Sequence, residues 1–195
     1  MPAGLLLTGG ASTRLGAPKA ELRRDGERLA DRGGRLLGAV CETAFEVGPG
    51  ASALPPVRED PPGAGPLAAV AAGAAALGAR GSHGPVLVLA VDLPYVDEAL
   101  LRWLADREPA GTLVPRVGGV AQSLCARYTA ADLAIAARLV ADGASSMRAL
   151  LATIDATYAD ERDWGGVAEP EAFTDVDTAA AVARAQLEWP ARPPG

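Results

Sequence analysis

Cysteine and histidine are scarce in this chain of 195 residues, which has two cysteines, Cys41 and Cys125, and one histidine, His83. Two cysteines and one histidine without close spacing make a poor zinc site. Both cysteines are expected to pack as small apolar residues in a reducing cytoplasm. The sequence also offers no Ser-His-Asp set and no reactive cysteine, so covalent nucleophilic catalysis is not indicated.

Excess basic charge and long apolar runs are missing as well. The chain has 18 Lys and Arg residues against 24 Asp and Glu, a formal net charge of −6, so it lacks the general positive charge of nucleic-acid-binding proteins. No apolar run approaches the ~20 residues of a membrane helix. The N-terminus has no charged region or cleavage site of a secretory signal. We therefore expect a cytoplasmic protein with no nucleic-acid or membrane partner.

The pattern of apolar residues predicts an α/β protein. Strands and helices alternate, which favours a three-layer αβα architecture around a mostly parallel sheet. The length suits a single domain, expected over residues 1–188, with a loose C-terminal tail at 189–195. Strands are predicted at 3–8, 43–47, 56–59, 85–91, 111–115, 120–128 and 155–158. Helices are predicted at 27–41, 67–77, 98–104, 130–141, 146–152 and 178–188.

The first strand ends in a glycine-rich loop that suits phosphate binding. Gly9, Gly10 and Gly16 would let backbone N–H groups approach an anion closely, and Arg14 and Lys19 would neutralise its charge. A Walker loop is disfavoured, because its lysine follows the last glycine directly, and a dinucleotide fingerprint requires the spacing G-x-G-x-x-G. An ordinary glycine-rich turn between a strand and a helix is the alternative.

A candidate metal ligand follows the most apolar strand. Residues 85–91 read as a strand that is buried on both faces, and Asp92 comes directly after it. A carboxylate in that position is costly without a partner. Mg²⁺ is a natural partner, since it takes one or two carboxylates together with substrate phosphates. Ligands of open α/β sheets bind beyond the carboxyl ends of the strands, where the glycine loop also lies. The alternative is a turn or capping aspartate before Pro94.

The segment from Leu7 to Lys19 resembles the signature of nucleotidyltransferases, L-x-G-G-x-x-x-R-[LM]-G-x-x-K, and within that superfamily the molybdenum cofactor guanylyltransferases. Three further segments resemble this family in the same order: Asp60 ahead of Gly65-Pro66-Leu67, Asp92 ahead of Pro94-Tyr95, and Asp175-Val176-Asp177-Thr178 before the last helix.

The resemblance implies a single-domain Rossmann-like nucleotidyltransferase that transfers GMP from GTP to molybdopterin and releases pyrophosphate. It implies catalytic roles for Arg14, Lys19 and Asp92, and a Mg²⁺ ion held by Asp92 and Asp177. It also implies transient contact with proteins of cofactor biosynthesis or molybdoenzyme maturation. The nucleotide contacts that it implies are Leu7, Gly9, Gly10, Lys19, Gly48, Asp60 and Asp92.

Several alternatives remain open at this point. A solvated loop residue is the alternative for Asp60. A cap of the last helix is the alternative for Asp177, and the two roles of Asp177 are compatible. The chain departs from the family pattern at Pro18, at Gln122 and in the Asp175 and Asp177 pair. These departures concern the recognition of the acceptor and of the base more than the binding of the phosphates. The same chemistry with another base or acceptor is therefore an alternative, including cytidylyl transfer to molybdopterin and transfer to phospholactate or a sugar phosphate. An inactive nucleotide-binding adaptor is a further one.

Overall fold

The computed structural model describes residues 1–9, 15, 18–108 and 110–189. The strands are β1 (Ala3–Leu7), β2 (Arg23–Arg24), β3 (Glu27–Arg28), β4 (Thr43–Val47), β5 (Pro56–Val57), β6 (Val86–Ala90), β7 (Leu113–Val117), β8 (Val120–Ala121), β9 (Cys125–Tyr128) and β10 (Thr157–Ala159). The α-helices are α1 (Leu29–Val40), α2 (Pro66–Ala79), α3 (Glu98–Asp106), α4 (Ala130–Ala141), α5 (Met147–Leu151), α6 (Glu161–Trp164) and α7 (Ala179–Arg184). Short 3₁₀ turns cover Lys19–Glu21 and Pro170–Phe173.

The central sheet has the strand order β10-β7-β9-β6-β1-β4-β5, with β8 paired to β7. The first strand, β1, lies between β4 and β6 and runs parallel to both, so that Leu7 is level with Val47 and Ala90. This brings the carboxyl ends of three strands to one edge. Strand β9 is antiparallel to β6 and β7, while β10 runs parallel to β7. The prediction of a mostly parallel sheet is confirmed.

Helices cover both faces of the sheet, as predicted. Successive residues of a strand point to opposite faces, and Leu6 packs on the side of α1 and α3, whereas Leu5 packs on the side of α2. Two helical glycines allow the helices to lie close to β1. An added Cβ would lie 2.6 Å from Leu6 Cδ1 at Gly33 and 2.7 Å from Leu5 Cδ2 at Gly73. No helix among the described residues has the length and apolar character that crossing a membrane requires.

The helix predicted at 27–41 starts later than expected, because a hairpin precedes it. Strands β2 and β3 pair around Asp25 and Gly26, whose φ angles are +53° and +79°. Positive φ at both central residues is typical of a type I′ turn, which Asp-Gly favours. Helix α1 therefore begins at Leu29, where the polar hairpin ends.

The last helix is shorter than the predicted 178–188. It ends at Arg184, because Gln186 adopts a φ of +53°. Gln186 N donates to Ala183 O at 3.1 Å and Leu187 N donates to Val182 O at 3.0 Å, which is the pattern of a Schellman cap. The chain then returns to pair with the β2–β3 hairpin. Apart from Trp189, the expected tail at 189–195 lies outside the described residues.

Candidate active site

A pocket of about 300 Å³ lies at the carboxyl edge of the sheet, within the size range of small-molecule sites. Its walls come from the ends of β1 and β6, from the segment that leads into α2, and from the turn that carries Lys19. The lining residues are Leu7, Thr8, Gly9, Lys19, Glu59, Gly63, Gly65, Pro66, Ala69, Ala90, Val91, Asp92 and Leu124. Gly9, Lys19 and Asp92 thus meet at one site, although Lys19 and Asp92 are 73 residues apart in sequence.

Three charged side chains converge at this pocket. The ammonium of Lys19, the only lysine of the chain, donates to Asp92 Oδ2 at 2.7 Å and to Asp177 Oδ1. The backbone supports the convergence, because Val176 N donates to Asp92 O at 3.1 Å. Burial favours the neutral form of Lys19, but the hydrogen bonds and charges of the two carboxylates outweigh it, and the pKa of the ammonium is raised. Lys19 therefore stays a cation at neutral pH.

The segment that carries Asp177 is acidic. Asp175 is close enough that burial, together with the charges of Asp177 and Asp92, raises the pKa of its carboxyl group. The side chain that caps α7 is Thr178, whose Oγ1 accepts from Ala181 N at 3.1 Å. The capping alternative for Asp177 is therefore wrong, and its carboxylate faces Lys19 instead.

Glu46, a residue that the sequence analysis did not select, joins the two loops beside the pocket. It lies in β4, is fully buried, and its carboxylate accepts from Thr8 Oγ1 at 2.6 Å. It also accepts from the backbone N–H groups of Gly50, Ala51 and Ser52 at 2.6–2.8 Å, and from Ser52 Oγ at 2.7 Å. Burial raises the pKa of Glu46, but these hydrogen bonds outweigh that effect and lower it. Glu46 is thus an ionised anchor between β1 and the loop after β4.

The predicted nucleotide contacts Leu7, Gly9 and Gly48 lie on or behind the pocket wall. Leu7 and Gly9 line the pocket, whereas Gly48 packs directly behind it. A Cβ added to Gly48 would lie 2.1 Å from Thr8 Oγ1 and 2.9 Å from Gly9 N, so only glycine fits there. Gly48 supports the glycine loop through this close approach, and its contact with a nucleotide remains a prediction.

Asp60 is not brought into the pocket. Its side chain is exposed, and the neighbouring Glu59 lines the pocket and accepts from Gly63 N at 3.0 Å. The resemblance aligns Asp60 alone, and the sequence does not show which of two adjacent acids faces inward, because that depends on the local backbone. Gly10 and Arg14 lie outside the described residues, so their roles also remain predictions.

The donor set suits a divalent metal only in part. Among the residues that the structure describes, no group of three or more His, Cys, Asp or Glu side chains is arranged to hold a metal ion. Asp92 and Asp177 nevertheless place two carboxylate oxygens on one cationic group, Lys19 Nζ. Two carboxylates fit Mg²⁺, which completes its octahedral shell with waters and substrate phosphates.

The chain matches one protein family over most of its length. The family described as MobA-like NTP transferase domain matches residues 4–160. The chain belongs to this family. A relative from Opitutus terrae, named a probable molybdenum cofactor guanylyltransferase, is 37% identical over 163 residues, which cover 78% of each chain. Another with the same name, from Chloroflexus aggregans, is 34% identical over 155 residues and 73% of each chain.

A solved structure shares the fold of this MobA-like protein. Molybdopterin-guanine dinucleotide biosynthesis protein A from Archaeoglobus fulgidus superposes with a TM-score of 0.77 and 20% identity, over 94% of this chain and 96% of the other. The agreement confirms the Rossmann-like nucleotidyltransferase architecture predicted for the chain. The family identifies the protein as a nucleotidyltransferase.

Proposed function

We propose that this protein transfers GMP from GTP to molybdopterin and releases pyrophosphate. The observation that carries the proposal is the convergence of Lys19, Asp92 and Asp177 at a pocket whose wall includes Thr8 and Gly9 of the glycine loop. Family membership supports nucleotidyl transfer, and the names of the relatives support guanine and the molybdenum cofactor.

The pocket supports a triphosphate lying along the glycine loop. Gly9 offers backbone without a side chain at the pocket wall, and the ammonium of Lys19 is a point charge that suits the phosphates. We propose that Lys19 and Arg14 bind the β- and γ-phosphates, with Gly10 as a further backbone contact. Leu7, Gly48 and Asp60 complete the proposed nucleotide contacts, and Glu59 is a second acidic candidate for the base or the ribose because it lines the pocket.

We propose Asp92 and Asp177 as the protein ligands of Mg²⁺, which supplies neutralisation of phosphate charge when it is bound. An oxygen of the acceptor phosphate forms the new bond to the α-phosphorus as the bond to the bridging oxygen breaks and pyrophosphate leaves. The acceptor oxygen is already anionic, so the chain needs no general base. Its residues act by positioning the two phosphates and stabilising their charge.

Pyrophosphate release with molybdopterin as acceptor tests the proposal. The protein should release pyrophosphate with GTP, and the product should be molybdopterin guanine dinucleotide by mass spectrometry. The same assay with CTP separates guanylyl from cytidylyl transfer, since a preference for CTP would reject the guanine assignment. The absence of turnover with every nucleoside triphosphate would reject nucleotidyl transfer to molybdopterin. Contact with delivery proteins and a place in the cytoplasm belong to the same proposal.

A further inference from the structure

The single lysine of the chain contacts the two carboxylates that the proposed metal site uses. Its Nζ contacts Asp92 Oδ2 at 2.7 Å and Asp177 Oδ1. These carboxylates come from the end of β6 and from the segment before α7, and the Lys19 turn is a third element. About a fifth of the Lys19 and Asp92 side chains is exposed, so their attraction is only partly screened by solvent.

An ammonium and a divalent cation compete for these two carboxylates. Lys19 takes one oxygen of each side chain, Asp92 Oδ2 and Asp177 Oδ1. A metal ion held between the same two side chains would lie close to the ammonium, and the two cations would repel each other at this range. Without a cation, the two carboxylates would in turn repel each other. Either cation relieves this repulsion and so stabilises the close approach of the pair.

The proposed function gives the ammonium of Lys19 a second binding partner, the phosphates of the nucleotide. It lines the pocket beside Thr8 and Gly9, where the proposed function places phosphates. A lysine side chain has a flexible stem with four carbons, so its ammonium can turn from the carboxylates to a phosphate while its backbone stays in the 3₁₀ turn.

We propose that Lys19 is an exchangeable counterion of the Asp92–Asp177 pair, which the ammonium leaves when the metal and the nucleotide bind. The inference rests on the proposed metal site. In this proposal the ammonium of Lys19 first neutralises the two carboxylates and then binds phosphate. Nucleotide and metal therefore bind cooperatively, because each favours the conformation in which Lys19 has left the carboxylates, and the coupling must be equal in both directions.

Manganese binding in the absence of nucleotide tests the exchange. Mn²⁺ is a spin probe for Mg²⁺ sites, and its free concentration is measured by electron paramagnetic resonance. The variant Lys19→Met removes the charge but keeps an unbranched stem. It should bind Mn²⁺ at least about tenfold more tightly, because Mn²⁺ no longer has to break the two partly exposed ion pairs that Lys19 forms in the unaltered protein. Equal or weaker binding by Lys19→Met would overturn the proposal.

Two matched variants sharpen this result. Lys19→Arg keeps the positive charge and should bind Mn²⁺ within about threefold of the unaltered protein. The double variant Lys19→Met with Asp92→Asn should lose the gain in affinity. If the double variant retains the gain, Mn²⁺ binds elsewhere and the proposal fails.

The unaltered protein offers an independent measurement that does not depend on how a variant folds. Because Lys19 is the only lysine, labelling lysine with ¹³C at its ε-carbon gives one lysine signal in the NMR spectrum. Mg²⁺ alone should shift this signal with the same apparent dissociation constant that calorimetry gives for Mg²⁺. A signal that stays in place while calorimetry records saturation would overturn the exchange. None of these experiments uses GTP or molybdopterin, so a failure of guanylyl transfer and a failure of the exchange are distinguishable.

Discussion

Replacing Glu46 with glutamine tests whether a buried carboxylate holds the two loops beside the pocket together. In the protein, this carboxylate accepts hydrogen bonds from Thr8 Oγ1, from three consecutive backbone N–H groups and from Ser52 Oγ. The amide of Glu46→Gln has one oxygen, and its NH₂ group cannot accept. Even in the better of its two orientations, Ser52 N loses its acceptor.

The expected loss of stability follows from these contacts. A hydrogen bond to a charged group contributes about 1.5–3 kcal/mol, and a buried donor without an acceptor costs about 1–3 kcal/mol. Part of this loss in the free energy of unfolding is offset, because the neutral amide does not bury a charge. We therefore expect the free energy of unfolding to fall by about 2–3 kcal/mol. Each kcal/mol lowers the Tm of a chain of this length by about 2–4 °C, which predicts a decrease of about 4–12 °C.

The assay is urea denaturation at neutral pH, with Glu161→Gln as the matched control. Glu161 is exposed, and its carboxylate accepts from the backbone N–H of Gly118 at 2.6 Å, so its replacement should change the free energy of unfolding by less than about 0.5 kcal/mol. A Glu46→Gln variant as stable as this control would refute the anchor.

The pH dependence gives the same test a second form. The pKa of Glu46 is below its ordinary value of 4.5 in the folded protein, so its contribution to stability is present above pH 4.5 and is lost as the pH falls through the folded value. The unaltered protein should therefore lose stability more steeply than Glu46→Gln below that pH. Parallel curves would contradict the argument.

Three further substitutions and one control separate catalysis, binding and stability. Asp92→Asn should lower turnover by at least about a hundredfold while the free energy of unfolding changes by less than about 1 kcal/mol; unchanged turnover would reject Asp92 as the metal ligand. Gly48→Ala should weaken GTP binding at least about tenfold by calorimetry, because its Cβ would overlap Thr8 Oγ1 and displace the pocket wall. Gly38→Ala in α1, where an added Cβ meets nothing within 4 Å, should leave GTP binding unchanged, and equal affinities in the two variants would contradict the packing argument. Arg127→Met should lower the free energy of unfolding by about 2–4 kcal/mol, since the buried guanidinium donates to three main-chain carbonyls around the end of α3; an affinity for GTP that fell in parallel would contradict a purely structural role.

The parts of the fold that follow from local patterns were predictable. Strand β4 and helix α4 have the predicted bounds, 43–47 and 130–141, because the first is short and apolar and the second has Thr129 as its cap. The hairpin at 23–28 was missed although Asp25-Gly26 carries a turn signal, since its strands have two polar residues each. The antiparallel direction of β9 depends on pairing across the sheet, which a local pattern does not contain.

The candidate site was predictable to the extent that strand ends define it. Asp92 was found because it follows a fully apolar strand, and Lys19 because the glycine loop precedes it. Glu46 was missed, although a single carboxylate inside an apolar strand is itself a signal of buried hydrogen bonding. The partners of that carboxylate lie in a loop and in another strand, so its role follows only from the fold. The same holds for Glu59, which faces the pocket where Asp60 does not.

Calorimetric titration with GTP, CTP, ATP and UTP, each with and without Mg²⁺, tests the central claim most directly. The proposed guanylyl transfer predicts tight binding of GTP that depends on Mg²⁺ and weaker binding of the other three. Tight binding of CTP instead would contradict the guanine assignment and leave the nucleotidyltransferase family in place. Binding of none of the four would contradict the interpretation of the glycine loop and of the pocket as a nucleotide site.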